Sequence, residues 1–492
     1  MSNPLALLPL AIAGGGGRIG VTDAEPFEAQ QLVAAGLTLL QRSAPLVRAL
    51  AGRRSAILMP TSPQFLTALA ASEGRGAVLV NPLAAPREIV FQARDANVGA
   101  IFTTRALAPR TPDDLVRVIL DDAPRSATVI AGGAARQVDL GTHHGLSLEG
   151  ERDAEGRDEE AAIVYTSAMR GTPLGAVLTH ANLLANARAA MQAIDNVAGD
   201  HVLALLPFAH LFGLTVTGSA ALIAGARVST MERFNPARAV ELLASAGITE
   251  VVGVPAIYYA MLSAIERRAV SLRGSALRVA ICGGAPLSRE LQDRWADVTG
   301  VELRQGYGLT EASPVALFNR LDRPNVRGTL GVPFPGVDVA IFPPTNYAAS
   351  GASCDAAIPL RDGEVGEIAL RGPSVFRGYL RDGPAGLPRR GEWLCTGDLG
   401  VRNADGTVSF VGLAKPMFTR NGFNVYPAEL ERAVSELAGV RRVEVRALPE
   451  PFKEHDILLR VTGDVTEEQV RAWCEARLSA YKQPSAIVIV PE

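Results

Sequence analysis

The sequence predicts an α/β fold: a large N-terminal body with parallel sheets and a small β-barrel-like part, followed by a small, mobile α+β lid. Three observations predict it. Apolar runs alternate with helical stretches over residues 50–104 and again over 201–284, which is the order of parallel βαβ units. From about Gly363, short alternating runs and turns indicate antiparallel strands. Beyond residue 412, a helix, two strands, a helix and a last strand form a pattern of their own.

Each element of the body follows from its local sequence. Strands are predicted for the short apolar or β-branched runs "SAILMP", "GAVLVN" and "AIFTT". Helices are predicted between them, for "SPQFLTALAASEGRG" by its spacing and for "PREIVFQARDANVG" because it begins on proline and ends on glycine. The later strands of the body are "HVLALLPF", "GARVSTM", "ITEVVGVP" and "LRVAICGG".

The lid is predicted from the periodicity of its first helix and the strands after it. Pro427 begins this helix and Gly439 ends it. Its apolar residues share one face: Leu430, Val434 and Leu437. We place the boundary near Gly412, so that the body spans residues 1–411 and a shortened lid spans residues 412–492.

The composition indicates which binding partners and which cellular compartment are compatible with the chain. The 492 residues carry a net charge of -3, are 48% hydrophobic and 20% charged, and have a mean hydropathy of +0.16. This balance offers no basic surface to nucleic acid or to an anionic membrane. The four cysteines are far apart and form no CxxC pair, which is typical of reduced thiols. We therefore expect a cytoplasmic protein without a nucleic-acid partner.

The N-terminal segment contains a short apolar run and a formal G-x-G-x-x-G match, Gly15 to Gly20. No basic residue precedes the apolar run, and it is shorter than the roughly 20 residues of a membrane span, so we expect neither a signal peptide nor a membrane span. A buried first strand or a loosely ordered terminus is predicted instead. A dinucleotide-binding loop needs a strand before it and a helix directly after it, whereas Pro26 precedes any helical pattern here.

The segment from Tyr165 to His180, "YTSAMRGTPLGAVLTH", follows an apolar strand and precedes a helical run. Backbone N–H groups of a loop rich in glycine, serine and threonine can surround phosphate oxygens, and the hydroxyl groups add donors. The segment is not a Walker A loop, because no Gly-Lys-Ser/Thr follows. From the residue types alone, a phosphate site and an ordinary strand-to-helix turn both stay open.

Three further segments carry residues suited to a nucleotide. In "RQGYGLTEASP", close glycines allow a tight backbone path, and Thr310 and Glu311 suit a phosphate and a Mg²⁺ ion. In "ICGGAPLS", a strand ends in small residues against which a flat ring can lie. In "WLCTGDLG", Asp398 can accept hydrogen bonds from the two hydroxyl groups of a ribose. Each segment alone is also compatible with a glycine turn or a solvated carboxylate.

Taken together and in this order, the motifs resemble the adenylate-forming superfamily of acyl-CoA synthetases, peptide-synthetase adenylation domains and beetle luciferases. The resemblance covers nearly the whole chain and includes "LPFAHLFGLT", "GVPAIYYAML", "GYGLTEASPV", "GTLGVPFPGVDV", "GEIALRGPSVFRGYL", "WLCTGDLG" and "NGFNVYPAELE". It implies that ATP and Mg²⁺ convert a small carboxylic acid, here fatty-acid-like, to acyl-AMP. A thiol of CoA or of phosphopantetheine on an acyl carrier protein then takes the acyl group.

The resemblance also implies roles for individual residues. Thr310, Glu311 and His210 are the implied catalytic residues: Thr310 contacts the α-phosphate and Glu311, with Thr166, holds Mg²⁺. His210 and Gly306 border the acyl pocket, Tyr307 stacks on the adenine and Asp398 binds the ribose. The remaining implied nucleotide-binding residues are Ser167, Arg170 and Gly171 of the phosphate loop, Gly284, Ala285 and Pro286 along the adenine, Gly308, and Lys415 at the hinge.

The chain departs from the family pattern in three places. In the phosphate loop, Ala168-Met169-Arg170 replaces Gly-Thr-Thr, and Leu174 replaces a lysine. At the hinge, Leu413 replaces a ribose-contacting arginine, and Pro416 follows Lys415. The family's closing Pro-Arg-x-x-x-Gly-Lys motif is not found in "LSAYKQPSAIVIVPE", where Lys482 stands too early to replace its lysine.

These departures leave three hypotheses open. The chain is predicted to be an ATP-dependent acyl-CoA or acyl-carrier-protein synthetase. The alternatives are a catalytically impaired protein that binds an adenylate or acyl group, and an acyl transferase that starts from a preformed activated acyl group.

Overall fold

The computed structural model describes residues 7–22, 24–72, 76–141, 159–166, 173–345, 358–381, 386–414 and 417–490. Its elements are numbered here in chain order over that part of the chain. The α-helices are α1 (Leu7–Gly14), α2 (Ala29–Arg42), α3 (Ala44–Leu50), α4 (Gln64–Ala70), α5 (Pro86–Asp95), α6 (His180–Ile194), α7 (Ala221–Ile223), α8 (Pro236–Ser245), α9 (Pro255–Arg268), α10 (Arg289–Thr299), α11 (Pro427–Ser435) and α12 (Glu467–Arg477). A π-helix covers Phe212–Ala220, and 3₁₀ turns cover Ala108–Arg110, Thr310–Ala312 and Ala480–Lys482.

Two large mixed sheets form the body. In spatial order, the described strands of the first sheet are β17 (Val332–Pro333), β16 (Val315–Phe318), β15 (Leu303–Gly308), β14 (Val279–Cys282), β13 (Glu250–Gly253), β11 (His201–Ala204), β12 (Arg227–Thr230), β1 (Arg18–Val21) and β2 (Phe27–Glu28). Those of the second sheet are β20 (Gly378–Tyr379), β10 (Leu174–Thr179), β9 (Glu160–Thr166), β4 (Ala77–Leu79), β3 (Arg54–Leu58), β5 (Val98–Thr103), β6 (Val116–Ile119), β7 (Ser126–Ala131) and β8 (Ala134–Asp139).

The predicted βαβ units are confirmed. Strands β3, β4 and β5 pair in parallel, as do β11, β12, β13, β14 and β15. Parallel strands buried on both faces are expected to be apolar throughout, and β5 and β14 consist of buried residues only. The α/β fold class predicted from the alternation of runs is therefore confirmed.

The antiparallel third sheet begins at residue 338, earlier than the predicted change of pattern near Gly363. Its described strands are β18 (Asp338–Phe342), β19 (Val365–Arg371), β21 (Arg389–Arg390), β22 (Trp393–Arg402) and β23 (Val408–Leu413). Each neighbouring pair in this third sheet is antiparallel.

The lid contains the predicted elements around a small core of its own. Its strands are β24 (Phe418–Arg420), β25 (Phe423–Val425), β26 (Val440–Glu450), β27 (Glu454–Gly463) and β28 (Ala486–Val490). Leu430 and Val434 on α11 are fully buried in this core, as predicted, and Leu437 packs at its edge. Helix α11 ends at Ser435, before the predicted Gly439. The boundary near Gly412 stays a prediction.

The prediction for the N-terminus is wrong in one respect. The apolar run forms helix α1 rather than a strand, because Leu8 and Ile12, four residues apart, share one buried helical face. The glycines after it lie between a helix and strand β1, which is the reverse of the order in a dinucleotide-binding loop. Gly15 is required by packing, since a Cβ there would lie 2.3 Å from the backbone oxygen of Leu222.

No helix in the described part of the chain is both long and apolar enough to cross a membrane.

The lid is joined to the body by a buried lysine. The ammonium nitrogen of Lys482 lies 2.6 Å from Glu429 Oε1 of the lid and 3.1 Å from Glu88 Oε1 of the body, and the lysine side chain is 4% exposed. The Ser479 hydroxyl donates to the second oxygen of Glu88. Burial disfavours the ammonium, but Tyr481 and the two carboxylates outweigh it and raise the pKa of Lys482. Lys482 is therefore charged at neutral pH and neutralises carboxylates from both segments.

We predict that replacing Lys482 destabilises the attachment of the lid. Lys482→Met leaves two buried carboxylates without their cation, and breaking such a pair costs about 3–5 kcal/mol. Hydrogen exchange should accelerate in α11 and β25, and the urea midpoint should fall. Lys453→Met is the matched control, because the Lys453 side chain is 48% exposed. Adding Glu88→Gln to Lys482→Met should recover part of the loss; equal losses in both lysine variants would contradict the prediction.

A second buried charge lies in the first sheet, where Glu250 occupies β13. Its Oε2 accepts a hydrogen bond of 2.6 Å from the Asn196 amide, and its Oε1 has no partner among the described residues. Burial raises the pKa of Glu250 from 4.5 to about 7. Because the folded-state pKa is the higher one, the contribution of Glu250 to stability is present below pH 4.5 and is lost as the pH rises through about 7.

We predict that Glu250→Gln stabilises the protein at alkaline pH only. The amide keeps an oxygen for Asn196 and carries no charge, so the gain at about pH 8.5 should approach about 3 kcal/mol, at 1.36 kcal/mol per pKa unit. At about pH 5 the gain should vanish, because Glu250 is then protonated. Urea unfolding at both pH values measures the difference. Glu290→Gln, at an exposed position, is the control; a gain independent of pH would rule out the assignment.

Candidate functional site

Most of the predicted site residues that the structure describes meet in one cavity, which we call the first cavity. It has a volume of about 150 Å³ and lies where β14 and β15 end. In open α/β sheets, ligands bind at the carboxyl ends of the strands. The predicted residues that line it are Thr166, His210, Gly284, Gly306, Tyr307, Gly308 and Thr310. The position therefore suits a small-molecule site.

Glycines at the strand ends bring the backbone to the cavity wall. Gly284 has a φ of +78°, which disfavours a side chain. A Cβ at Gly308 would lie 1.8 Å from the backbone oxygen of Pro314. At Gly306, by contrast, a Cβ would make only an ordinary contact of 3.6 Å with the Phe318 ring. Gly306 therefore leaves space in the cavity. Gly284 is required by its positive φ, and Gly308 by the close approach of the Pro314 backbone.

Tyr307 and Asp398 form a pair beside the cavity. The Tyr307 hydroxyl on β15 donates a hydrogen bond of 2.6 Å to Asp398 Oδ2 on β22. Asp398 is 8% exposed and faces Leu413 across the β22–β23 register. Paired residues on neighbouring strands share a face, so Leu413, at the position predicted to lack a ribose-contacting arginine, lies on the same face as Asp398. The pair offers a ring and a carboxylate to a nucleoside, without the arginine.

Thr310 and Glu311 form the 3₁₀ turn that follows β15. Thr310 lines the first cavity, whereas Glu311 is 5% exposed and lies behind it. Glu311 Oε1 accepts a hydrogen bond of 2.7 Å from the Tyr379 hydroxyl. Burial, and then the carboxylate of Glu311, raise the pKa of Tyr379, so this hydroxyl stays protonated and donates.

The surroundings of Glu311 fit a Mg²⁺ ion that is shared with phosphates. Mg²⁺ is commonly held by one or two carboxylates together with substrate phosphates and water. Within the described ranges, no cluster of three or more His, Cys, Asp or Glu side chains could hold a metal ion by itself. Glu311 would be the protein ligand of such an ion, and the ion would supply charge neutralisation to the phosphates.

His210 lines the first cavity in its neutral form. Burial lowers the pKa of His210 from 6.5 to about 4. Its Nδ1 accepts a hydrogen bond of 3.3 Å from the Phe212 N–H. The ring proton at neutral pH is therefore on Nε2, which makes His210 a hydrogen-bond donor there and not a base.

A part of the cavity lining is apolar, and we call it the apolar end. It is formed in part by the π-helix, an element often found at functional sites. The π geometry is supported by two side chains that bond five residues back, Thr217 to the Phe212 carbonyl and Ser219 to the Leu214 carbonyl. The apolar lining residues are Ile194, Phe212, Val216, Val315, Phe318 and Phe334, each less than 10% exposed. No charged side chain of the described residues lines the first cavity.

Two further cavities adjoin the first. The second cavity, of about 240 Å³, lies between α5 of the body and α11 and α12 of the lid. Its cationic lining residues are Arg87, Arg432, Arg477 and Lys482, and its acidic lining residues are Glu88, Glu429 and Glu436. Arg87 pairs with Glu436 at 2.9 Å, and the buried Nε of Arg477 has no hydrogen-bond partner in the described ranges. The third cavity, of about 550 Å³, is mostly apolar and lies on the other side of the β24–β25 hairpin.

The lid contributes site residues that the sequence analysis missed. Gly422, Phe423, Asn424 and Tyr481 all line the first cavity. The hairpin that carries the first three has a two-residue Asn421-Gly422 turn in which both φ values are positive, 52° and 75°. Asn-Gly is the strongest short hairpin signal. The turn was therefore predictable from the sequence, but its insertion into the cavity was not.

Other predicted residues lie outside the cavity lining. Ala285 and Pro286 follow β14 without lining the first cavity, and their adenine contacts stay predictions. Ser167, Arg170 and Gly171, together with Lys415, fall outside the described residues, as do Ala168, Met169 and Pro416.

The expected strand-to-helix turn after Thr166 is wrong. The segment that follows the loop is strand β10, antiparallel to β9, with Leu174 opposite Thr166. Helix α6 begins only at His180 and is capped by the Thr179 hydroxyl. The loop therefore connects the two strands of a hairpin, because the mostly apolar "LGAVLT" is a short run that is buried almost throughout in the second sheet.

Comparison with known proteins agrees with this geometry. Residues 46–380 match the family of the AMP-binding enzymes. The chain is 28% identical over 469 residues to the long-chain-fatty-acid–CoA ligase of Bacillus subtilis (strain 168), covering 88% of this chain and 81% of that one. It is 31% identical over 446 residues to the feruloyl-CoA synthase of Amycolatopsis sp, covering 89% and 84%.

Solved structures show the same fold. A malonyl-CoA ligase in a ternary product complex with methylmalonyl-CoA and AMP superposes with a TM-score of 0.77 at 25% identity, covering 98% of both chains. The amide bond synthetase McbA from Marinactinospora thermotolerans gives a TM-score of 0.79 at 23% identity, covering 98% of this chain and 95% of that one. The chain belongs to the AMP-binding enzymes of the adenylate-forming superfamily, as an acyl-CoA synthetase-like ligase.

Proposed function

We propose that the chain uses ATP and Mg²⁺ to activate a fatty-acid-like monocarboxylic acid as acyl-AMP and transfers the acyl group to the thiol of CoA. One observation carries the proposal: a single cavity is lined both by Tyr307, whose hydroxyl donates to the Asp398 carboxylate outside the lining, and by apolar residues of the π-helix and β16. An acyl-adenylate carries a nucleoside and an acyl chain in one molecule, so its site needs a surface for the nucleoside next to an apolar surface.

The substrate class follows from the charge and shape of the apolar end. Since no described charged side chain lines the first cavity, a second carboxylate as in malonate would have no partner there. An aliphatic or aromatic monocarboxylate fits better. The names of two relatives, a long-chain-fatty-acid–CoA ligase and a feruloyl-CoA synthase, cover these two kinds of acid. Of the two, a fatty-acid-like chain is proposed, because the lining combines aliphatic and aromatic residues.

The second cavity supports CoA as the acceptor. Guanidinium groups bind phosphate with paired hydrogen bonds, and Arg87, Arg432 and Arg477 line this cavity. Thr166, His210 and Phe423 line both the first and the second cavity, so a thiol that enters through the second cavity reaches the acyl side. A carrier-protein phosphopantetheine is the other acceptor to be tested.

The chemistry balances in two displacement steps. A carboxylate oxygen attacks the α-phosphorus of ATP, forming acyl-AMP and releasing pyrophosphate. The thiol sulfur then attacks the acyl carbon, the bond to the AMP oxygen breaks, and the thiol proton leaves to solvent. Neutral His210 can donate a hydrogen bond from Nε2 to an acyl oxygen, which would help to orient the group.

A second candidate function rests on Leu174. In the resembling family this position carries a lysine, and here it lies opposite Thr166 at the start of β10. Without that cation, a protein that binds acyl-AMP, or uses one made elsewhere, is the alternative to a complete synthetase.

The first experiment is mass spectrometry of acyl-AMP formed from ATP, Mg²⁺ and acids of about four to eighteen carbons. We expect an acyl-AMP signal above the no-enzyme control, strongest for aliphatic acids, and acyl-CoA after CoA is added. Malonate should give none. If no adenylate forms while AMP or an acyl-AMP analogue raises the melting temperature, the alternative function replaces this one.

We predict that Leu174→Lys strengthens ATP binding. A charge-assisted hydrogen bond to phosphate contributes about 1.5–3 kcal/mol, so the Kd for ATP should fall at least about tenfold while the Kd for AMP changes little. Isothermal titration with both nucleotides measures this. Leu448→Lys on the lid is the control, because Leu448 is 42% exposed and far from the cavity lining. An equal change for AMP and ATP would refute a role for the position in binding the polyphosphate.

We also predict that Asp398→Asn weakens AMP binding, whereas Asp338→Asn does not. The amide loses the charge that favours ribose hydroxyl donors, which should cost about 1.5–3 kcal/mol, or about tenfold or more in Kd. Asp338 lies at the exposed start of β18 and pairs with Arg371. Equal affinities of the two variants for AMP would remove Asp398 from the proposed ribose site.

A further inference from the structure

Phe423 and His210 are positioned where three cavities meet. Both residues line the first, the second and the third cavity. Their rings lie edge to face, with centroids 6.3 Å apart and planes at 83°. His210 belongs to the body and Phe423 to the lid. The contact between these two rings therefore separates the acyl and nucleotide side from the cationic side and from the large apolar cavity.

The backbone holds the Phe423 ring in that place. Gly422 approaches Val254 of the body so closely that a Cβ would lie 2.6 Å from Val254 Cγ1. The Gly422 N–H donates a hydrogen bond of 3.0 Å to the carboxylate of Glu454 on the lid. The hairpin tip is thus fixed on both sides, because only a glycine fits against Val254 with this positive φ.

A second aromatic ring fixes the side chain. Tyr481 stacks on Phe423 with centroids 4.5 Å apart and planes at 22°. Tyr481 precedes Lys482, whose ammonium joins Glu429 of the lid to Glu88 of the body. The position of the Phe423 ring is therefore coupled to the ion pair that attaches the lid.

We propose that Phe423 is a specificity-determining residue that selects the thiol over water as the nucleophile, by sealing the acyl carbon of bound acyl-AMP until the thiol enters from the second cavity. The proposal rests on the proposed function. A thiol forms a C–S bond and water a C–O bond at the same carbon, and in both cases AMP leaves with the electron pair of the broken C–O bond. The products are the thioester or the free acid, and the proton goes to solvent.

The chemistry of the ring suits this role. A phenyl edge offers no hydrogen-bond partner to water, so water at the junction finds no partner on the Phe423 side. The pantetheine arm of CoA can displace the ring edge while keeping apolar contact with it. Selection by a lid residue, moreover, operates only when the lid is attached as the structure shows.

The test supplies chemically prepared octanoyl-AMP in place of ATP, with and without CoA, to the full-length protein. Products are separated by liquid chromatography and mass spectrometry in water enriched in ¹⁸O. For Phe423→Ala, we expect the ratio of free acid to octanoyl-CoA to rise by about tenfold or more, as expected for loss of about 1.4 kcal/mol of discrimination. The ¹⁸O label should appear in the acid, which marks attack at the acyl carbon.

Three variants make the result specific. Phe423→Leu keeps an apolar side chain and should recover most of the selectivity. Tyr481→Ala removes the stacking partner and should raise the ratio of free acid to octanoyl-CoA by less than Phe423→Ala does. It replaces Phe423→Ala in the test if that variant does not fold. Phe452→Ala removes another aromatic contact between lid and body, with Tyr259, from a side chain that is 61% exposed, and should leave the ratio unchanged.

An unchanged product ratio in folded Phe423→Ala would overturn the proposal, and so would ¹⁸O in AMP, which marks attack at phosphorus. Failure of the proposed function would give a different result, which is seen in the wild-type protein. If the wild-type protein makes no octanoyl-CoA, the rate of octanoyl-AMP hydrolysis still tests the seal. Faster hydrolysis in Phe423→Ala than in the wild type supports it, and equal rates refute it.

Discussion

The buried ion pair of Lys482 with Glu88 and Glu429 is the interaction on which the site depends. The ammonium and the carboxylates give up water, and their mutual attraction offsets that cost only in a fixed geometry. Such a contact has little tolerance for intermediate positions of the lid. All three cavities are bounded by the hairpin or by residues next to Lys482, so their walls exist only in this arrangement of lid and body.

The distribution of charge across the site is uneven. The first cavity, beside which the Tyr307–Asp398 pair lies, has no charged side chain in its described lining, whereas both arginines and glutamates line the neighbouring second cavity at the lid interface. The two described positions at which the chain differs from the family pattern, Leu174 and Leu413, lie opposite Thr166 and Asp398 in their sheets. Each replaces a cation of that pattern with an apolar side chain.

Sequence reasoning predicted what is local and periodic. The parallel units followed from apolar runs of strand length, and the lid helix followed from Leu430 and Val434. The order of glycine-rich motifs was enough to predict that Gly284, Tyr307 and Thr310 share one site. Helix α1 was missed, because a short apolar run does not distinguish a buried strand from a buried helix.

Contacts across long stretches of sequence could not be predicted in the same way. No local signal links Lys482 to Glu88 or Phe423 to His210, because these pairs depend on how the lid rests on the body. The Asn421-Gly422 dipeptide was enough to predict a hairpin turn. The position of that turn in the cavity, however, depends on the close approach of Gly422 to Val254.

The hairpin formed by β9 and β10 has an evolutionary consequence. Both ends of its loop are held by strand pairing, with Thr166 opposite Leu174, and the helix that follows carries its own cap at Thr179. The contacts that fix the register of the sheet and the start of the helix therefore lie at and beyond those ends. Substitutions within the loop can then accumulate while strand β10 and helix α6 keep these contacts.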